Sequence, residues 1–237
     1  MNRFGTFVWA GVVVASAIVA PGARARAATA PAGAPAVKAS SASAKASSMK
    51  TAPASARGES AIFAGGCFWC LETAYESRPG VLSVVSGYTG GKELNPTYEQ
   101  VSSHSTGHLE VVEVRFDPAK ISYAKLLDLF WHSIDPTQGD GQFCDRGHQY
   151  QSAVFYRGEA QRAAAEKSRR EIEASGVLKA PIVTEILAAS KFWPAEEYHQ
   201  DFWKKDPVRY RSYRLGCGRD QRLAQVWGKA AVKPLVH

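Results

Sequence analysis

Gly65-Gly66-Cys67-Phe68-Trp69-Cys70 sets a thiol behind a glycine turn, with two large aromatics beside it and a second thiol three residues on. An apolar, β-prone run (Ala61-Ile62-Phe63-Ala64) precedes it, and a helix-compatible stretch from Leu71 to Glu76 follows. A cysteine at the first turn of a helix meets unpaired backbone N–H groups and the positive end of the helix dipole. Both favour the thiolate, which is the nucleophilic form. Phe68 and Trp69 can wall an apolar pocket beside the sulfur. The bland alternative is burial, since cysteine and its aromatic neighbours are often simply core. Cys-x-x-Cys also fits a thioredoxin-like redox pair or half of a zinc site. Zinc needs about four ligands, and Cys144 and Cys217 stand alone rather than forming a second pair. No metal is expected, and His104, His108, His132, His148 and His199 read as structural or surface groups.

Two further kinds of group could serve a reactive thiol. Glu110, in Gly107-His108-Leu109-Glu110-Val111, shares a strand phase with Val112 and Val114. A carboxyl among core side chains is costly to bury ionised, so it would stay protonated and act as a general acid. A solvated strand face, or an arginine partner, is the equal alternative. Tyr98 and Tyr150 stand in turn-like settings, where a tyrosine usually packs its ring and leaves its hydroxyl in water; at a site, it donates to a polar oxygen.

The elements that must hold these residues follow from patterning. Ser60–Ala64, Val81–Tyr88, His108–Phe116, Gln151–Tyr156 and Val183–Leu187 read as strands. Cys67–Ser77, Ser122 to about His132, Glu159–Ala174 and Ala195–Lys204 read as helices. Ser122 is a candidate cap, and Leu126, Leu127, Leu129 and Phe130 lie on the buried side. Asp135–Gly147 is a loop, and the chain after Pro207 looks irregular and basic. The expected fold class is α+β: a two-layer sandwich of mixed or antiparallel sheet and helices, with a long irregular C-terminal tail.

Of 237 residues, 45% are hydrophobic and 22% charged, which suits one well-packed domain. Residues 1–27 have the layout of a signal peptide: Arg3, an uncharged run from Phe7 to Ala20, and a small-x-small site at Ala25-Arg26-Ala27. The run is short for a membrane span, so export to the periplasm without stable membrane insertion is expected. Residues 28–58, nearly all Ala, Ser, Pro, Lys and Gly, read as a disordered linker. The domain is placed at 59–228, with a tail at 229–237. Net charge is +7, but scattered, so nucleic-acid binding is not supported. Four cysteines in an exported protein allow two structural bridges; redox cycling is the better reading, with one bridge left open.

Four motifs together resemble one family. Gly66-Cys67-Phe68-Trp69, Gly107-His108-Leu109-Glu110-Val111, Asp145-Arg146-Gly147-His148-Gln149-Tyr150 and Tyr198-His199-Gln200-Asp201 occur in the order found in A-type peptide methionine sulfoxide reductases. The resemblance runs from about Ser60 to Tyr210. It implies an α+β fold with a coiled tail, and reduction of the S-epimer of methionine sulfoxide, free or in oxidised proteins under repair. It implies no bound cofactor, an external thioredoxin-like reductant, and a monomer. Carried over by motif, Cys67 is the nucleophile, Phe68 and Trp69 hold the substrate methyl, and Glu110 protonates the sulfoxide oxygen. Tyr98 and Tyr150 assist, and Asp145 orders the site. Many relatives have Gly where this chain has Cys70. Cys217, in Leu215-Gly216-Cys217-Gly218, is the first candidate to resolve the sulfenic acid, followed by Cys70 and then Cys144. A thioredoxin-like disulfide oxidoreductase using Cys67 and Cys70 is the competing enzyme class, and a periplasmic metal- or haem-binding module the non-enzymatic one.

Overall fold

The computed structural model describes residues 58–233. The expected leader at 1–27 and, apart from Gly58, the linker at 28–58 lie outside those residues, as do 234–237 of the expected tail. From the N-terminus the elements are β1 (Glu59–Gly65), α1 (Phe68–Tyr75), β2 (Val81–Thr89), α2 (Tyr98–Ser102), β3 (Leu109–Phe116) and α3 (Tyr123–Trp131). There follow β4 (Gly141–Gln142), β5 (Asp145–Arg146), β6 (Ser152–Tyr156), α4 (Glu159–Ser175), β7 (Glu185–Ala188) and β8 (Trp193–Pro194). The chain closes with α5 (Phe202–Lys205), α6 (Pro207–Gly216) and α7 (Arg219–Trp227).

Six strands form one sheet in the order β7-β6-β1-β3-β2-β8, and only β6 and β7 run parallel. The β1 run is central, so it is buried on both faces and reads as continuous apolar sequence rather than alternation. Phe63, Val112 and Val114 face α1 and α3, meeting Leu71, Tyr75, Leu126 and Phe130. Phe63 stacks between Tyr75 at 5.3 Å and Phe130 at 5.1 Å. Each such ring or aliphatic side chain contributes roughly 1.5–3 kcal/mol by leaving water. Ile62, Ala64, Val111, Ala153 and Phe155 form the opposite face, covered by Leu187 and Phe192. The α+β class is as the patterning indicates.

Ser122 caps α3 through the Lys125 N–H, and the four expected side chains are buried. Other boundaries differ. Tyr98 is not in a plain turn but opens α2, which Thr97 and Gln100 cap reciprocally. Ala195–Lys204 is not one helix: a 3-10 turn at Glu197–His199 and short α5 share it. The segment after Pro207, expected to be irregular, is helical. Pro207 sits in the first turn of α6, where its missing N–H costs nothing, and the Asp206 side chain accepts from the Arg209 N–H at 3.1 Å. Arg219, Leu223 and Trp227 recur every four residues on the buried face of α7. Gly218, at φ +68°, joins the two helices with backbone that other residues rarely adopt. No helix among the described residues is long and apolar enough to cross a membrane.

Candidate active site

The thiol loop is built by a strand ending beside a helix start. Gly66 takes φ +78°, and a Cβ on it would lie 2.7 Å from the Gln142 Cβ, so both turn and packing require glycine. Cys67 is the N-cap of α1, and the first N–H of that helix, from Phe68, donates to Glu110 Oε2 at 3.1 Å. Glu110 reaches it from β3, opposite Tyr88, on the face that carries Val112 and Val114. It is 3% exposed. Burial pushes its carboxyl up to about 8, against the pull of the Phe68 N–H and with help from the Asp145 and Cys70 charges. Of the two readings of Glu110, the buried acid is the one the fold realises. It is protonated at neutral pH and lies one residue's reach from a thiol.

The thiol itself departs from expectation. Burial pushes Cys67 well above an ordinary cysteine, and its hydrogen bond with Cys70 and the charges of Cys70, Glu110 and Asp145 push the same way. The dipole argument fails here because the helix's first N–H is already taken by Glu110 and the surroundings are acidic. Cys70 moves in the opposite direction, lowered by the same hydrogen bond and then by Arg219 and Arg214. The two sulfurs are thus pushed in opposite directions, Cys67 up and Cys70 down. Both are free thiols, and Cys67 is 6% exposed.

Around them lie the other residues singled out by sequence. Asp145, from β5, accepts the Tyr213 hydroxyl at 2.5 Å; burial raises its carboxyl, against the pull of that bond, of Arg219 and Arg146, and of the nearby Cys67 backbone N–H. Tyr98 and Tyr150 are half-buried. Burial raises both hydroxyls, Tyr98 to about 12, and the Glu110 charge is the next cause for each. The Phe68 ring is buried between Tyr88 at 6.0 Å and His199 at 4.9 Å. Trp69 stacks flat on Phe202 at 3.8 Å and meets the Tyr213 edge at 5.9 Å.

Several residues of this setting were not singled out by sequence. His199, read as structural or surface, accepts from Trp69 Nε1 through Nδ1 at 3.1 Å. Burial holds it down to about 4, so it is neutral and keeps that acceptor. Glu196 accepts from the Tyr88 hydroxyl at 2.9 Å and the Tyr98 N–H at 2.8 Å, tying two walls together. Arg219 donates to the Gly65 carbonyl at 3.0 Å and the Ser133 carbonyl at 2.9 Å, with Phe143 under its guanidinium at 4.3 Å. The Tyr198-His199-Gln200-Asp201 motif was the available signal for His199; Tyr213 and Arg219 had none, because their segment read as tail.

Cys217 does not swing free. It caps the C-terminus of α6 and forms a disulfide with Cys144, with the two Cα atoms 5.0 Å apart. The free thiol that remains beside Cys67 is Cys70.

This arrangement can pass a proton to a substrate oxygen from Glu110 while sulfur attacks from Cys67, and can then close a disulfide between neighbouring thiols. Residues 59–231 match the family model described as peptide methionine sulfoxide reductase. The chain is 54% identical to peptide methionine sulfoxide reductase MsrA of Bacillus licheniformis over 171 residues, covering 72% of this chain and 94% of that protein. It is 51% identical to the Bacillus subtilis protein of the same name, over 73% of this chain and 98% of that one. Among solved structures it resembles reduced Mxr1 of Saccharomyces cerevisiae, with TM-score 0.61 and 30% identity, over 65% of this chain and 88% of that one. It also resembles methionine sulfoxide reductase A of Corynebacterium diphtheriae, with TM-score 0.57 and 34% identity, over 63% and 76%.

Proposed function

The chain belongs to the peptide methionine sulfoxide reductase family, and on that premise we propose that it reduces the S-epimer of methionine sulfoxide, in peptides and proteins and as the free amino acid. It is an oxidoreductase acting on a sulfur group. The observation that carries the reading is the buried, protonated Glu110 hydrogen-bonded at the start of the helix that bears Cys67.

Sulfoxide oxygen leaves poorly until it is protonated, so acid and nucleophile must act together. The substrate methyl lies against Phe68 and Trp69. As the Cys67 sulfur attacks the sulfoxide sulfur, its proton passes to Cys70 along their hydrogen bond, and Glu110 protonates the oxygen with support from Tyr98 and Tyr150. Asp145 holds the Cys67 backbone. The sulfur–oxygen bond breaks, methionine leaves, and Cys67 carries the oxygen as a sulfenic acid. The Cys70 thiol condenses with it, releasing water and closing a Cys67–Cys70 disulfide. An external thioredoxin-like dithiol reduces that disulfide by exchange and is itself oxidised. No bound cofactor enters this cycle. The chain works as an exported monomer, in the periplasm, on oxidised proteins; the leader pattern at 1–27 supports that placement.

Turnover of a methionine-S-sulfoxide peptide with dithiothreitol tests the reading. The expected result is methionine from the S-epimer alone. Activity confined to the R-epimer would overturn it. A thioredoxin-like disulfide oxidoreductase is the second reading, favoured by the paired free thiols. It requires Glu110→Gln to be nearly silent, whereas sulfoxide reduction requires a loss of about a hundredfold or more.

A further inference from the structure

We propose that the Cys144–Cys217 disulfide is a positioning brace: it holds Asp145 and Tyr213 against the Cys67 loop and Trp69, and it stays closed while Cys67 and Cys70 cycle. The inference rests on the sulfoxide reductase reading of the site and goes beyond it.

Two segments far apart in sequence are fastened to each other twice. The covalent link joins Cys144 to Cys217, 73 residues on. The second link is the Tyr213 hydroxyl on Asp145 Oδ2, at 2.5 Å. Asp145 follows Cys144 directly, and Tyr213 precedes Cys217 by one helical turn, so both fastenings lie on one face of α6. The bridge thus sets the register in which the hydroxyl meets the carboxylate.

Both fastened side chains touch the thiol loop. The Asp145 carboxyl lies near enough to the Cys67 backbone N–H to be pulled down by it. The Tyr213 ring stands edge-on to Trp69 at 5.9 Å. The hairpin of β4 and β5 also presses its Gln142 side chain on Gly66. Displacing Cys144 would therefore move the wall behind the nucleophile.

Accessibility separates the two cysteine pairs. Cys67 and Cys70 are buried and free, whereas Cys144 is exposed and Cys217 half-buried. The thiol facing Cys67 is already supplied by Cys70, so the outer pair is not needed to resolve the sulfenic acid. What it supplies is geometry.

The test is single-turnover methionine release from a methionine-S-sulfoxide peptide by the full chain, without added reductant, across pH 5–9. Cys144→Ser/Cys217→Ser is compared with the bridged protein. The expected rate loss is on the order of tenfold, from a small misplacement of the reacting groups. The pH profile should shift as well, because Asp145 loses its fixed partner beside Cys67. Tyr213→Phe should slow the bridged protein clearly and the unbridged variant little. A wild-type rate and profile without the bridge, or an equal Tyr213→Phe cost in both backgrounds, would overturn the brace. If the double variant does not fold, thiol trapping of the wild type during reductant-driven turnover decides instead. Alkylation confined to Cys67 and Cys70 supports the brace, and labelling of Cys144 and Cys217 in every cycle overturns it. A bridged protein that releases no methionine overturns the functional reading and the brace with it; release indifferent to the bridge overturns the brace alone.

Discussion

A buried carboxyl group with one hydrogen bond from the protein is a poor anion. Among the described residues Glu110 accepts the Phe68 N–H alone, and burial outweighs that bond, holding its proton up to about pH 8. The sign for catalysis follows. An acid that must be protonated works below its titration point, so single-turnover methionine release should fall as pH rises through about 8. Glu110→Gln should remove that fall along with most of the rate, about a hundredfold or more. A variant that keeps the alkaline limb would mean that another group is the acid. The strand phase of Glu110 with Val112 and Val114 made its burial legible in the sequence. The upward push on Cys67 was not legible, because it depends first on burial, then on Cys70 in its own helix and on Glu110 and Asp145 brought from β3 and β5. A helix start favours an anion only when its N–H groups are still free.

At the scale of elements, the site is a junction: a strand end, a helix start, a hairpin and, through Arg219, the helix α7 meet at Gly66. Gly66→Ala should cost roughly 1–3 kcal/mol from strained backbone alone. The added methyl would also push on Gln142, whose side chain bonds the Asp135 backbone at 2.9 Å and 2.8 Å. Chemical denaturation should show the loss, and methionine release should slow with it; an alanine variant of wild-type stability would mean that the turn relaxes. The central strands and α3 could be read from sequence because their apolar residues are dense and periodic. Helices α6 and α7 could not. Their buried faces carry Tyr210, Arg214, Arg219, Leu223 and Trp227, so two of the five core positions are arginines. Gly218, in the stretch after Pro207 that reads as irregular, is a fixed joint between helices.

For the whole molecule, buried carboxyls tie stability to pH. Glu72 is 1% exposed, and burial raises it to about 8, although its Oε1 accepts the Asp201 N–H at 3.0 Å. Its folded value lies above the unfolded one of about 4.3. The folded state therefore binds the proton more tightly, and the stability Glu72 contributes is complete below about 4.3 and is lost as pH rises through about 8. Glu110 adds in the same direction. His199, lowered by burial, acts oppositely, its contribution being lost as pH falls below about 6.5 toward 4. Glu72→Gln keeps an oxygen for the Asp201 N–H and has nothing to ionise. Measured by urea unfolding, its stability relative to the wild type should grow between pH 5 and 8, and a constant difference would refute the assignment. Composition and charge showed none of this, since they do not say which of the 22 acidic residues lie inside.

Arg219 lies 154 positions from the carbonyl it holds at Gly65. During synthesis the cysteine turn emerges well before the guanidinium that steadies it. A chain stopped short of Arg219 therefore carries the sulfur without the side chain that fixes its turn.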